Sequence, residues 1–220
     1  MIKNLNILQK SELFMNLPES IIGCLLESKA CYIKTYHKEE TIYSYKNPIT
    51  YAGIVLEGTV DVIHSSVNGH DTIVKRMTAG DSFGVSYACS REINLFNDIR
   101  SRNFSRIFFL NIQMVLQEYC IQGEHYTTFM ENIFSSLARD NIRLNAKIQI
   151  LGQKTLREKL LTYFELLVEE KASRRISIPF NREELACFLG SERSSVSREL
   201  SKLAEEKAIR LSGRQVELLE

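Results

Sequence analysis

Two apolar runs of helical period, at 182–189 and 193–203, meet at Gly190, and the stretch from Phe180 to Leu218 restricts the fold more tightly than any other. Asn181 stands where an N-cap belongs, Glu184 follows three residues later to complete a capping box, and Phe180 and Leu185 are spaced as a hydrophobic staple. A short helix from Arg182 to about Leu189 is therefore expected. Gly190 supplies a tight turn, with Ser191 or Glu192 available to cap the next helix. At about 100° per residue, Val196, Leu200 and Leu203 share one face of that second helix, and Ser194, Ser197, Arg198 and Ser201 share the other. One face packs; the other presents hydroxyls and guanidinium with little bulk above the backbone, which suits a groove. Ile209 and Leu211 then alternate with polar residues, Ser212-Gly213-Arg214 reads as a turn, and Val216 and Leu218 alternate again, which spells a β-hairpin. Capped helix, glycine turn, polar helix and hairpin make a winged helix-turn-helix, and with it an expectation of DNA binding. Arg210 and Arg214 fall where a wing can meet phosphates.

The charge balance limits how such binding can work. A net charge of +1 excludes a generally basic coat, and residues 193 to 214 hold six Lys or Arg against three Glu, so the positive field is local. Affinity then depends on a few placed contacts, doubled by dimerisation. With 220 residues, 44% of them hydrophobic, the chain is long enough for more than one packed domain. Its five cysteines, Cys24, Cys31, Cys89, Cys120 and Cys187, are odd in number and lack C-x-x-C spacing, which fits a reducing cytoplasm better than a disulfide framework. No run of about 20 apolar residues occurs, so neither export nor a membrane span is expected.

Upstream the texture changes twice. Residues 5 to 29 read as short helices broken at Leu17-Pro18-Glu19-Ser20. From about 31 to 112, short runs such as Ile54-Val55-Leu56, Val60-Asp61-Val62-Ile63, Thr72-Ile73-Val74 and Ile107-Phe108-Phe109-Leu110 are separated by Gly58-Thr59, Asn68-Gly69 and Ala79-Gly80-Asp81, the pattern of a β barrel or sandwich. Beyond residue 123 the period becomes helical. Met130, Phe134, Leu137, Asn141, Leu144, Ile148 and Leu151 fall at spacings of four and three, a coiled-coil seam, and Asn141 at an a position favours a parallel pair of helices in fixed register. The stripe also suits a helix covering its own β domain. Gly152 follows as a hinge candidate, and Leu156, Leu160, Leu161, Phe164, Leu166 and Leu167 begin a fresh helix.

This order of parts resembles the bacterial transcription regulators of the catabolite activator and fumarate-nitrate reduction regulator (Crp/Fnr) family, over nearly the whole chain. The most specific stretches are GIVLEGTVDVIHSSVNGHDTIVKRMTAGDSFG (53 to 84) and FNREELACFLGSERSSVSRELSKLAEEKAIR (180 to 210). The resemblance implies an α+β chain: a cyclic-nucleotide-binding-like, jelly-roll β roll for effector sensing (1–122), a dimerisation helix (123–151) and a winged helix-turn-helix (152–220). It implies a homodimer on a two-fold symmetric site in double-stranded DNA, with Arg193, Ser194, Ser195, Ser197, Arg198, Lys202 and Arg214 as contact residues. Arg198 has the geometry for a bidentate pair with guanine; Arg193 suits a base or a phosphate. Many relatives carry glutamate where Ser194 stands, so the preferred half-site should depart from the best-known family sequence there. Ser195 and Ser197 serve as phosphate contacts or as spacers.

The effector is less legible. In nucleotide-binding relatives a glutamate follows the Phe-Gly or Ile-Gly pair to hold ribose, and an Arg-Ser pair holds the phosphate. Here Val85 follows Phe83-Gly84 and Leu95-Phe96 occupy the Arg-Ser position. Base-contacting positions of the dimer helix are Leu144 and Asn145, only half polar. A buried phosphate without a guanidinium is left uncompensated, which argues against cyclic AMP. Cysteines too scattered for an iron–sulfur cluster, and His37, His64, His70 and His125 without pairing for haem, leave no cofactor or metal predicted. Arg100, Arg102 and Arg106 share strand parity; a row turned inward suits an anionic small molecule, a row turned outward is a solvated face. Two alternatives stay open: action without an effector, and a module whose winged helix contacts protein. The charged loop from Lys171 to Arg175 is a candidate contact for RNA polymerase. No hydrolase elbow, HExxH or P-loop occurs, so no catalytic residues and no enzyme are expected.

Overall fold

The computed structural model describes residues 2–65, 71–90, 92–94, 97–117 and 121–219; the Asn68-Gly69 turn, His70, Leu95-Phe96 and Cys120 lie outside them. Helices α1 (Ile2–Lys10) and α2 (Glu19–Glu27) flank a 3-10 turn at Glu12–Phe14, with Pro18 at the N-cap of α2, where the sequence pattern breaks. Strands β1 (Cys31–Tyr36), β2 (Thr41–Tyr43), β3 (Ala52–Glu57), β4 (Val60–Ser65), β5 (Asp71–Met77) and β6 (Ser82–Phe83) follow. Helix α3 (Val85–Ser90), strands β7 (Asp98–Ser101) and β8 (Ser105–Leu110), and helix α4 (Ile112–Gln117) come next. The rest is α5 (Glu124–Leu151), α6 (Leu156–Lys171), β9 (Arg175–Ser177), α7 (Arg182–Leu189), α8 (Arg193–Glu205), β10 (Ile209–Ser212) and β11 (Gln215–Leu218).

Two compact units divide within α5: Met1–Val67 with Val74–Asn141, and Asn68–Ile73 with Ile142–Glu220. The first is built on two four-stranded antiparallel sheets, ordered β1-β8-β3-β6 and β2-β7-β4-β5. Sheet β1-β8-β3-β6 is covered on both sides, which explains why β3 and β8 read as continuous apolar runs rather than alternating ones. Ala52, Ile54, Leu56, Phe108 and Leu110 point to a core shared with Leu8, Phe14, Ile22, Leu25, Phe129 and Ile133. Val55, Ile107 and Phe109, of opposite parity, point to a second core with Tyr36, Val60, Met77, Phe83 and Ile99. On β4 and β5, Asp61 and Arg76 form a nearly buried bidentate pair, Nε–Oδ1 and Nη2–Oδ2 both 2.7 Å.

Along the long helix the residues of the expected seam divide between covered and exposed positions. Met130 and Leu137 pack against the core of their own first unit. The exposed stripe instead runs through Thr127, Glu131, Phe134, Ala138, Asn141, Asn145 and Ile148, again at spacings of four and three. Phe134 is 62% and Ile148 68% exposed, with Ile142 and Leu144 beside them. One edge of α5 thus packs inward and the other is exposed. After α5, Gly152 accepts no positive φ; Thr155 caps α6 through a capping box with Glu158.

Candidate nucleic-acid interface

The second unit assembles the reading head from local signals. Glu184 N–H donates to Asn181 Oδ1 (2.9 Å) and Asn181 N–H donates to Glu184 Oε2 (2.8 Å), closing the capping box at the start of α7. Gly190 ends α7 at φ 60°, a left-handed conformation that costs glycine nothing, and Ser191 N–H returns to Ala186 O (2.9 Å). Three residues, 190–192, then join α7 to α8. Glu192 is the N-cap of α8, yet its side chain makes no capping bond, so α8 is held by its buried row instead. Val196, Leu200 and Leu203 are at most 1% exposed and share a core with Leu185, Leu189, Phe164 and Phe180.

Beside and opposite this row, Arg193, Ser194, Arg198, Ser201 and Lys202 are exposed, and Ser195 and Ser197 are half-buried. Ser201 Oγ donates to Ser197 O (3.2 Å), which commits that hydroxyl to its own helix. Two acidic residues on and after α8 are drawn elsewhere: Arg157 of α6 pairs with Glu199 at 3.5 Å and Glu206 at 2.5 Å. Among the described residues, Arg193, Arg198, Lys202 and Arg214 enter no ion pair, so three cations of α8 and one at the wing tip stand uncompensated.

The wing is a three-stranded antiparallel sheet ordered β10-β11-β9, one strand more than the expected hairpin. A strand of three residues, Arg175–Ser177, is too short for an alternating pattern to register in sequence. Register aligns Arg210, Glu217 and Arg175 across it, and Glu217 takes both arginines, at 2.5 Å from Arg210 and 3.2 Å from Arg175. Hydrogen bonds and charge from Arg175, with Arg210 adding to them, hold the Glu217 carboxyl below its usual range despite some desolvation. Arg210 is therefore engaged, whereas Arg214 is exposed at the turn tip. Arg182, read from sequence only as the first residue of α7, donates from Nη2 to Gly213 O (3.1 Å) and ties α7 to that tip. Partial burial lowers its pKa from the arginine value. Nothing in the local pattern distinguishes it from a solvated first-turn arginine.

Residues 156–220 match the model of the Crp-like helix-turn-helix domain, and residues 33–119 match that of the cyclic nucleotide-binding domain. The chain belongs to the Crp/Fnr family. Its relatives and matched families are transcription regulators, not enzymes. It is 23% identical over 168 residues to a putative HTH-type transcriptional regulator, ycf28, of Porphyra purpurea, covering 74% of this chain and 68% of that one. A probable transcriptional regulator, flp, of Lacticaseibacillus casei is 34% identical over 82 residues, 37% of either chain. In fold it resembles the c-di-GMP responsive global regulator CLP of Xanthomonas campestris, with a TM-score of 0.68 at 16% identity over 87% of this chain and 95% of that one.

Among the described residues of the first unit, the candidate effector side chains are either in the core or paired: Phe83 is buried, and Arg100 and Arg102 each meet a carboxylate. Phe83 is buried between the sheets, where its ring lies 6.3 Å from Phe109 and 6.4 Å from Tyr43, with Tyr36 6.2 Å from Phe109. Burial is the main cause that pushes the Tyr36 phenol up to about 12 and the Tyr43 phenol higher still; Tyr43 Oη donates to Tyr51 O (2.9 Å). Gly84, with φ 71°, makes the bend between β6 and α3. The arginine row does not turn inward. Ile99 and Ile107 take the core side, Arg102 falls in the loop between sheets, and each guanidinium meets a carboxylate: Arg100 with Asp98 (2.7 Å), Arg102 with Glu39 (2.7 Å) and Arg106 with Glu57 (3.9 Å). Burial raises the Asp98 pKa, but hydrogen bonds from Tyr45 N–H and Arg100 outweigh it and leave the carboxyl below its ordinary value. Leu144 and Asn145 lie in the second unit, both exposed.

No described helix is long and apolar enough to cross a membrane. Among the described residues no group of three or more His, Cys, Asp or Glu gathers to hold a metal. Cys24 is exposed rather than buried; Cys31 and Cys89 pack against the helix-side core and Cys187 against the reading-head core.

Proposed function

We propose that this Crp/Fnr regulator is a cytoplasmic homodimer that binds a two-fold symmetric DNA site, with α8 of each protomer in a major groove. The observation that carries the reading is the α8 face itself: serines and uncompensated cations on a helix anchored by three buried side chains. Arg198 pairs with guanine O6 and N7, Arg193 reads a base or holds a phosphate, and Lys202 and Arg214 hold phosphates. Dimerisation uses the exposed stripe from Phe134 through Asn141 to Ile148, where the two Asn141 side chains meet across the two-fold axis and fix register.

Cyclic AMP is not the effector in this reading. The space between the sheets is filled by Tyr36, Tyr43, Phe83 and Phe109, Val85 stands at the ribose-binding position, and the arginines nearby already carry carboxylates. Control comes from another small molecule or from abundance alone. The wing-side loop Lys171 to Arg175, exposed throughout, is the surface available to RNA polymerase.

Selection of binding sites from genomic fragments, with wild type and Arg198→Ala and with and without a small-molecule extract, tests this. A symmetric site recovered by wild type alone supports the reading, and dependence on extract identifies an effector requirement. Salt supplies a second check. With Arg193, Lys202 and Arg214 each on one phosphate in both protomers, about six phosphates are neutralised and log K should fall with log salt at a slope of about −5. Affinity independent of salt would instead favour a protein partner for the winged helix.

A further inference from the structure

Lys147 is 8% exposed near the end of α5, within the second unit, and its amine is satisfied without any carboxylate. Nζ donates to Phe188 O of α7 at short range and to Ile73 O of β5 at 3.2 Å. It also stands 3.1 Å from the centroid of the Phe188 ring, a contact that the neutral amine keeps as N–H···π. That ring is itself wedged, 5.0 Å from Tyr163 of α6 and 4.9 Å from Phe180. One amine thus gathers three segments: the end of the long helix, the strand residue Ile73, and the helix on which α8 turns.

We propose that Lys147 is a positioning residue for DNA binding: by bridging the carbonyls of Phe188 and Ile73 beneath the Phe188 ring, its amine fixes α7, and with it α8, against the end of α5. The role rests on the DNA-binding reading above.

The same geometry makes the latch sensitive to pH. Burial is the largest influence on the amine and lowers its pKa to about 7 from the ordinary lysine value of 10.5, with the Cys187 thiol of α7 raising it and Lys159 of α6 lowering it. On α5 itself, Arg143 one turn earlier is exposed. The latched form binds a proton less tightly than the released form, so raising pH favours the latch. The gain is collected between about pH 7 and 10.5, and from pH 8 to pH 6 the ratio of latched to released forms falls about tenfold. No histidine occurs from residue 142 to 220.

The test compares full-length wild type with Lys147→Gln, which keeps a donor without charge, and Lys147→Arg, which cannot lose its charge. Affinity for the selected operator and the melting temperature without DNA are measured at pH 6 and pH 8. The expected result is wild-type affinity up to about tenfold higher at pH 8, with a melting temperature that gains on Lys147→Gln over the same interval, and both variants flat. If one variant does not fold, the other still decides. Parallel pH profiles for wild type and variants, with specific binding intact, overturn the latch alone. No operator binding by any of the three at either pH overturns the DNA-binding reading and, with it, the role of Lys147.

Discussion

Alanine at Gly53 should destabilise the protein, and should cease to do so once Phe83 is also alanine. A Cβ built on Gly53 meets three atoms of the Phe83 ring at 2.1, 2.4 and 2.5 Å, and these are its three nearest neighbours. The ring has no room to retreat, being 2% exposed and hemmed in by Tyr43 and Phe109. Forced overpacking of this kind costs about 1–3 kcal/mol. Phe83→Ala alone removes a buried phenyl at about 3–5 kcal/mol, on the order of 10 °C in melting temperature. In that background the obstacle to Cβ is gone. Gly53 has no positive φ to lose, so alanine should then stabilise by about 0.4–1 kcal/mol through a less free unfolded chain. The two substitutions should therefore couple by about 2 kcal/mol, with a change of sign at Gly53. Chemical denaturation of the four proteins in the cycle reads this directly. Additivity within about 0.5 kcal/mol would refute the claim that the Phe83 ring fills the roll against the Gly53 backbone.

Arg198→Ala should weaken operator binding by about 1–3 kcal/mol per half-site and relax preference at one base pair, read by titration against single-base variants of the site. Asn181→Ala removes the capping bond to Glu184 N–H and should lower stability by about 1 kcal/mol in denaturant melts without altering the preferred sequence. Ile148→Glu alters a side chain that is 68% exposed in the single chain, so it should change protomer stability by no more than about 0.5 kcal/mol while sedimentation equilibrium reports monomers. A dimer of unchanged affinity would remove the exposed stripe as the interface.

The reading head was legible because its signals are local. Asn181, Glu184, Gly190 and the Val196, Leu200, Leu203 row each act within a few residues, and the structure returns the same capping box, turn and packed face. Elements of the first unit were harder. Helices α3 and α4 have six residues each, too few for a 3.6 period to stand out against strand alternation. Of the two readings of the arginine row, the outward one is what the fold gives, and residues 102–104, between β7 and β8, form a loop across which strand alternation has no meaning. Two residues of the expected seam, Met130 and Leu137, as apolar as any coiled-coil residue, pack against their own unit's core. Spacing reports that a side chain is buried, never by what. The aromatic filling of the roll and the burial of Lys147 depend on contacts between residues far apart in sequence, and no periodicity carries those.

Protection of guanine N7 from methylation on the selected operator tests the central claim most directly. Wild type should protect one guanine in each half-site at positions related by a two-fold axis, with half-site centres about 34–36 Å apart, and Arg198→Ala should lose both protections together while still occupying the DNA at low salt. Protection confined to one side, or symmetric protection that survives Arg198→Ala, would contradict recognition by a dimer through this face of α8.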